Sequence, residues 1–413
     1  MTAPEARIAP LPATRLAIDL RRPAGAAIAA LLLRLLFGLF ALPISATFPE
    51  TSLEKQIGLL PGSTPLGIWL QRVAVEPWVR YDAWNYIRIV DHGYRVEEGT
   101  AAFHPLYPLI SAPFALLLGN APLALLIVAT LATISATVIF ARYVERFHGA
   151  DLAVPAAAAL LLAPPSFIML APYNEGLFLL LAVGCLWATR EQRWWLAGTL
   201  GGLACLTRQQ GLALALPLAW ALLVALRERR VRWWQLAAVG LVPLGYALFV
   251  AYRAVALGDL ARLAGASSPA DFLRGLLVSS SSEQVVTGQR IAWPWEPLID
   301  QVRLLFSKPN SYHLAMDLLL GYAMLVVVAL GWRSMDALER LYCAGIITLS
   351  LGYYNGVLDP YLSLPRHMLL AFPLYVALAR MLGTGMRRRY GMYALLLLNA
   401  FLAGAFIRHG WVP

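Results

Sequence analysis

The amino-acid sequence predicts an all-α protein, a polytopic bundle of membrane-spanning helices. Three observations carry that prediction. Of 413 residues, 60% are apolar and only 14% are Asp, Glu, Lys or Arg, against roughly 25% in an ordinary soluble domain. The mean hydropathy is +0.65. Too few polar side chains remain to cover a water-facing surface, which excludes a soluble enzyme, a disordered chain and a nucleic-acid-binding domain. Third, apolar stretches recur near 24–44, 105–119, 121–141, 152–172, 175–189, 194–206, 211–226, 234–257, 313–331, 340–357, 366–383 and 391–407. Several are shorter than the ~20 residues of a perpendicular span. Gly and Pro interrupt many, which a bundle tolerates because neighbouring helices re-satisfy the backbone. About eleven spans are expected in one integral domain over 1–413.

The first stretch follows a basic tail with Arg7, Arg15, Arg21 and Arg22. It is longer than a signal-peptide core, so no cleavable signal peptide is expected. Arg34 inside it is read as snorkelling or facing the bundle. The net charge of +10 belongs to loops that face anionic lipid, not to an acidic partner. Arg outnumbers Lys 31 to 2, which with the abundant Ala suggests a prokaryotic genome. The clusters Arg142–Arg146, Arg190–Arg193, Arg227–Arg232 and Arg387–Arg389 are all cytoplasmic if 45–104, 165–175, 207–210, 258–312, 358–366 and the C-terminal tail face outward. Two full spans between 105 and 141 would break that parity. Either 105–119 is partial or re-entrant, or the Arg142–Arg146 loop is outside and another segment fails to span. Cys185, Cys205 and Cys343 lie in apolar stretches and read as core fillers, with no disulfide framework or metal spacing.

The distinctive polar motifs fall in the outward set, the wrong side for ATP or a nucleotide sugar, and no Gly-rich phosphate loop is present. The first outward loop, 45–104, contains Tyr81-Asp82-Ala83-Trp84-Asn85-Tyr86, Asp91-His92-Gly93-Tyr94 and Phe103-His104-Pro105-Leu106-Tyr107-Pro108. A helix from Asp82 to about Asp91, stopped by Gly93, would lie in the membrane interface. Asp82 would open it, where the helix dipole favours a carboxylate. The residues alone leave Asp82 as an N-cap, Asp91 as a solvated carboxylate, and His92 and His104 as loop contacts. No histidine pair has zinc-ligand spacing.

These runs resemble the signature of the PIG-V-type mannosyltransferases. Pro172-Tyr173-Asn174-Glu175-Gly176-Leu177-Phe178 is similar to that family's Tyr-x-Glu-x-x-Phe segment. Leu206-Thr207-Arg208-Gln209-Gln210-Gly211 resembles its Thr-Arg-x-x-Gly segment, and Leu364-Pro365-Arg366-His367 with Phe372-Pro373 resembles its Arg-Tyr and Phe-Pro region. His367 departs by standing where Tyr is usual. The resemblance implies a GT-C-type glycosyltransferase with a catalytic Asp in the first outward loop. It implies inverting transfer of mannose from a polyprenyl-phosphate donor to a lipid, glycan or protein acceptor at the extracytoplasmic face of a prokaryotic plasma membrane. Asp82 matches the catalytic position.

Such a transfer needs one general base and a stabilised leaving group. The departing lipid phosphate needs no acid but gains from a fixed cation. Arg208 and Arg366 are the candidates, with His367 as an added donor and Arg80 and Arg88 as weaker alternatives. The alternative for each arginine is an interface anchor. Glu175 either orients sugar or pairs with Arg208. Asn85, Asp91, His92, His104, Tyr173 and Asn174 are candidates for sugar or acceptor contacts, and Asp359 is a fainter one. The loop 258–312, with Ser279–Ser282 and Trp293-Pro294-Trp295, suggests a lid or a plain connection. Metal ligands are assigned to none of these residues, and a divalent cation is left open as a cofactor. The rival readings are a transporter or lipid-linked-sugar flippase, which would place charges at the midplane of repeated halves, and a non-catalytic relative.

Overall fold

The computed structural model describes residues 18–47, 64–258, 264–269, 272, 289–308 and 311–408. The fold class is as expected, a polytopic helical bundle. The elements are α1 (Pro23–Thr47), α2 (Pro65–Ala74), α3 (Asp82–His92), α4 (Leu106–Leu118), α5 (Ala121–His148), α6 (Ala150–Leu162), α7 (Glu175–Arg190) and α8 (Trp194–Cys205). They continue with α9 (Ala215–Arg227), α10 (Ala237–Ala256), β1 (Arg290–Ile291), α11 (Trp295–Ser307), α12 (Tyr312–Gly331), α13 (Ala337–Leu351) and β2 (Tyr353–Tyr354). The chain closes with α14 (Leu364–Leu369), α15 (Pro373–Leu382) and α16 (Gly385–Ile407).

Among the described residues, six helices are long and apolar enough to cross a membrane, or seven if one bent pair counts as a span. The sequence suggests more, because several of its apolar stretches fold as pieces too short to cross alone. Pro164 and Pro165 end α6, and the next segment turns away by 82°. The last apolar stretch but one divides into the six residues of α14 and the ten of α15. At 1.5 Å per residue, α4 is about 20 Å long, short of a ~30 Å hydrocarbon core. Gly119, in the left-handed region at φ 62°, ends α4. Asn120 caps α5, accepting from the Leu123 amide at 2.9 Å.

That geometry fits the alternative of a partial α4, which is too short to cross alone. The His148 end of α5 meets the Arg190 end of α7 around Glu339, which no solvent reaches. Glu339 Oε1 accepts from Tyr143 Oη (2.9 Å) and Arg190 Nη2 (3.0 Å), and it contacts His148 Nε2 (2.7 Å). Arg190 also pairs with Asp336 at 2.6 Å. Arg380, near the end of α15, reaches His148 at 3.0 Å and Arg388 donates to the Gly383 carbonyl, so Arg387–Arg389 lie at this same end. Glu175, at the other end of α7, is about 22 Å away along the helix.

Arg34 faces the bundle. Its Nη2 donates to Thr130 Oγ1 (2.8 Å) and to the Leu170 carbonyl, and its guanidinium lies 5.2 Å from the Trp78 ring centre. This fastens the first loop to α1 and α5. The three cysteines are buried and unbridged, as expected of core fillers. Glycines bring α8 against α10: a Cβ at Gly245 would lie 2.0 Å from the Gly202 carbonyl oxygen. Only small residues permit such an approach, and it sets the following Thr207-Arg208 near the last turn of α10.

Candidate functional site

Four segments far apart in the chain supply one buried charged group. Asp82 is the first residue of α3. Tyr81 before it has φ 49°, a left-handed conformation rare outside glycine. Ser363, which precedes the Leu364-Pro365-Arg366 turn, has φ 66°. Strained backbone on both sides of a charge pair is of a kind that collects at functional sites, at a cost of about 1–3 kcal/mol each.

Arg366 Nη1 donates to Asp82 Oδ2 at 2.6 Å. Its Nε donates to Glu175 Oε1, which also accepts from Arg208 Nη1. Arg208 Nη1 reaches Asn174 Oδ1 at 3.0 Å as well. The remaining amino group, Nη2, of each arginine makes no hydrogen bond among the described residues. Glu175 is 0% exposed and Arg366 5%. Burial would lower the Arg366 pKa, but Glu175 and Asp82 outweigh it and hold the guanidinium charged, above the usual arginine range. Two carboxylates against two guanidiniums keep this group neutral overall.

The group forms one wall of a pocket of about 560 Å³. Asp82, Asn85, His104, Asn174, Arg208, Arg366 and His367 all line it. The loop 93–104 is folded back to the pocket by the Tyr94 hydroxyl, which donates to the Phe103 carbonyl at 2.8 Å. His104 Nδ1 then lies 2.7 Å from the Cys205 carbonyl. A carbonyl only accepts, so Nδ1 carries the proton and Nε2 is an acceptor.

Burial pushes the His104 pKa down to about 3, aided by Arg253 and Arg208 and opposed by the Cys205 contact. Burial, with Arg208 and Arg366, also sends His367 well below its ordinary value. Both rings are therefore neutral at working pH. His367 can offer an anion in the pocket a hydrogen bond but no charge.

A stability prediction follows from His104. Its native ring stays neutral down to about 3, whereas the unfolded ring protonates near 6.5. Below 6.5 the unfolded state binds the extra proton, so stability falls with falling pH across that window and is fully present above it. His104→Asn is expected to flatten this slope in unfolding midpoints measured from pH 7 to 4. An unaltered slope would show that His104 does not titrate on unfolding.

Several expected contacts are corrected. Asp91 and His92 are exposed and do not line the pocket. Helical geometry puts Asp91 about 14 Å along α3 from Asp82 and half a turn round it. His92 Nδ1 lies 3.5 Å from Glu98. Tyr173 lies beneath the site: its hydroxyl donates to the Arg80 carbonyl (2.9 Å), and the Arg366 guanidinium sits 4.6 Å from its ring centre. Glu175 lies behind the arginines and cannot touch a sugar, so its pairing role is the one realised. Asn174 reaches the pocket, but its amide is engaged by the Thr207 carbonyl (2.5 Å) and Arg208. Arg80 binds the carbonyls of Glu76 (2.7 Å), Val79 (2.9 Å) and Ile407 (3.2 Å), which ties the loop to α16. Arg88 does not line the pocket, and Asp359 pairs with His313 at 3.1 Å.

Other lining residues escaped the sequence reading: Tyr86, Gln210, Tyr246, Arg253, Gln289, Tyr353, Asn355 and Ser363. Tyr86 had a signal, since i+4 from Asp82 shares its helix face. Arg253 had the same signal as Arg208, an arginine at a span end. Gln289, Tyr353 and Asn355 had none, because the short β1–β2 pairing brings them in. In the 258–312 loop, Ser279–Ser282 lie outside the described residues. Trp293 and Trp295 stack 5.1 Å apart on the outer surface and do not line the pocket.

No family model matches the chain, and no curated protein matches it. The PIG-V-type resemblance thus rests on the motifs alone. Two solved structures are similar to it. The Archaeoglobus fulgidus oligosaccharyltransferase, tethered with an acceptor peptide, is 13% identical with a TM-score of 0.41, covering 93% of this chain and 56% of that one. ArnT from Cupriavidus metallidurans, in the apo state, is 14% identical with a TM-score of 0.34, covering 92% of this chain and 76% of that one. This chain therefore spans little more than half the length of the archaeal enzyme, and at these identities and scores neither likeness bears on what it does.

Proposed function

We propose that the protein is an inverting, GT-C-type membrane glycosyltransferase. It moves a hexose, mannose by its PIG-V-type resemblance, from a polyprenyl-phosphate donor to a membrane-associated acceptor. The observation that carries this reading is the convergence of the motifs on one pocket, with Asp82 held by Arg366 at 2.6 Å.

The acceptor hydroxyl attacks the anomeric carbon and gives its proton to Asp82. The bond from that carbon to the phosphate oxygen breaks, and its electron pair leaves with the lipid phosphate. Negative charge grows on that phosphate. The unused amino groups of Arg208 and Arg366 are fixed donors for it, already oriented by Glu175 and so needing little reorganisation. Asn85 lies on the Asp82 face of α3 and can hold a sugar hydroxyl. With arginine-rich helix ends opposite the pocket, the charge bias of cytoplasmic loops supports a site on the extracytoplasmic side.

The donor set does not suit a divalent cation. Arg366 stands between Asp82 and Glu175, and Arg208 takes the same Glu175 oxygen, Oε1, so two guanidiniums crowd the two carboxylates. Among the described residues no three His, Cys, Asp or Glu side chains gather as ligands. Transfer is expected to persist in excess chelator. Activity lost to chelator and restored by magnesium or manganese would contradict this.

The direct test supplies radiolabelled polyprenyl-phosphate mannose and native lipids to membranes containing the protein. Label passing from donor to acceptor supports the reading. If neither this donor nor a panel of other lipid-phosphate sugars is consumed, the reading is wrong.

A further inference from the structure

At the end of the bundle opposite the pocket, the turn 332–336 joins α12 to α13. These helices are consecutive but diverge: α12 packs on α14 and α15, whereas α13 packs on α9. Between them lies a cavity of about 350 Å³, a volume within the roughly 300–1,000 Å³ range of ligand sites. Leu325, Val328, Ala329 and Trp332 line it from the α12 side, Ile347 from α13, and Arg333 from the turn. Counted from the turn, Leu325 lies about 9 Å along α12 and Ile347 about 15 Å along α13. The cavity thus runs through the depth of one leaflet's hydrocarbon, about 15 Å. Val326 and Leu330, beside it on α12, are exposed, so this flank faces lipid.

Two side chains fix the turn. Arg340 Nε donates to the Trp332 carbonyl at 2.9 Å, and Arg380 Nη1 donates to the Ser334 carbonyl at 3.0 Å. Arg190 pairs with Asp336 and Glu339. Three arginines therefore stand against two carboxylates, and Arg333 adds a fourth positive charge. Arg333 is exposed, and its guanidinium takes part in no ion pair or hydrogen bond among the described residues.

An apolar cavity of leaflet depth that ends at an excess of positive charge matches an amphiphile with an anionic head. A neutral lipid would fill the cavity but leave Arg333 unmatched. A free phosphate would match Arg333 but leave the cavity empty. Two copies of the chain meeting through this face would set arginines against arginines. We propose that the cavity binds an anionic phospholipid of the leaflet at the Glu339 end, with an acyl chain between α12 and α13 and the phosphate on Arg333. Trp332 then sits at the headgroup level, where its amphipathic ring is favoured. The site shares no residue with the Asp82 pocket and does not depend on the transferase reading.

The test places the full-length protein in vesicles of phosphatidylcholine with increasing phosphatidylglycerol, one of the two carrying brominated acyl chains. Bromine quenches tryptophan on contact, and the difference between wild type and Trp332→Phe isolates the Trp332 signal. Phosphatidylglycerol is expected to occupy the site about fivefold more strongly than phosphatidylcholine, the effect of one basic residue meeting an anionic head. Arg333→Gln should abolish that preference and Arg333→Lys should keep most of it. Ala329→Phe, at an exposed position, should fill the cavity and lower quenching by both lipids. Thermal midpoints check that each variant is folded.

Equal occupancy by the two lipids in wild type overturns the proposal. So does a preference that survives Arg333→Gln, or quenching unmoved by Ala329→Phe, in a folded protein. If water-soluble glycerophosphoglycerol displaces phosphatidylglycerol at equal concentration, the site takes free phosphate and the lipid assignment fails. If quenching is lost in step with dimer formation, followed by cross-linking, a second copy covers this face and the proposal is wrong.

Discussion

Asp82→Asn is expected to lower sugar transfer by about 10²- to 10⁴-fold, the range general-base removal usually costs. Asparagine keeps the shape of the side chain and can still accept from Arg366 Nη1, so the Arg366 contact at 2.6 Å and the start of α3 should persist. What is lost is the basic lone pair that takes the acceptor proton. The fall should therefore appear in kcat, with the donor KM little changed. Asp82→Glu keeps the base but moves it by about one methylene, a displacement that can cost ~10²-fold when geometry governs the step. The control is the thermal midpoint of each purified variant. A folded Asp82→Asn protein with wild-type kcat would remove Asp82 from the chemistry and leave it a helix-opening residue paired with arginine.

Glu175→Gln is expected to damage stability more than any exposed substitution. Glu175 is fully buried and accepts from both Arg208 and Arg366. Removing its charge leaves two neighbouring guanidiniums with only Asp82 to offset them. Breaking a buried pair in this way typically costs about 3–5 kcal/mol. Unfolding in mixed micelles of dodecyl maltoside and increasing dodecyl sulfate would measure the loss. The neutralising double variant Glu175→Gln/Arg208→Gln should recover part of it, because one buried charge is then removed with its partner. A single variant within about 1 kcal/mol of wild type, the scale of an exposed ion pair, would show that water screens this group. An inactive but fully stable Glu175→Gln would instead indicate that Glu175 only orients the two arginines.

Much of the site was legible because its residues break local rules. A charge at the end of an apolar stretch is conspicuous, and Glu175, Arg208 and Arg366 each have that signature; Asp82, inside the first outward loop, was marked only by the motif around it. The α3 boundaries were legible too, since Asp82 suits a helix start and Gly93, at φ 75°, suits its end. The same helix shows where the reading fell short. Asp91 and His92 belong to the same motif as Asp82, but periodicity turns Asp91 away from the pocket while carrying Tyr86 into it. Motif membership records neighbourhood in the chain, whereas a site depends on which face of the helix is turned inward.

Composition and the recurring long apolar stretches determined the class of protein: with 14% charged residues the chain has no soluble exterior, and stretches of that length and hydropathy select helices over a barrel. The sequence also determined which residues were chemically out of place in that bundle. Only the tertiary structure decided their partners. That Glu175 serves two arginines, that Arg366 spans two carboxylates, and that Arg253 and the Gln289–Asn355 pair share the pocket are contacts between segments up to 284 residues apart. Hydropathy marks how deep a segment is buried, but it carries no information on which buried segment lies beside it. That choice is made by close backbone approaches such as Gly202 on Gly245, by the proline break after α6, and by the need of each buried charge for an opposite charge or for hydrogen-bonding carbonyls.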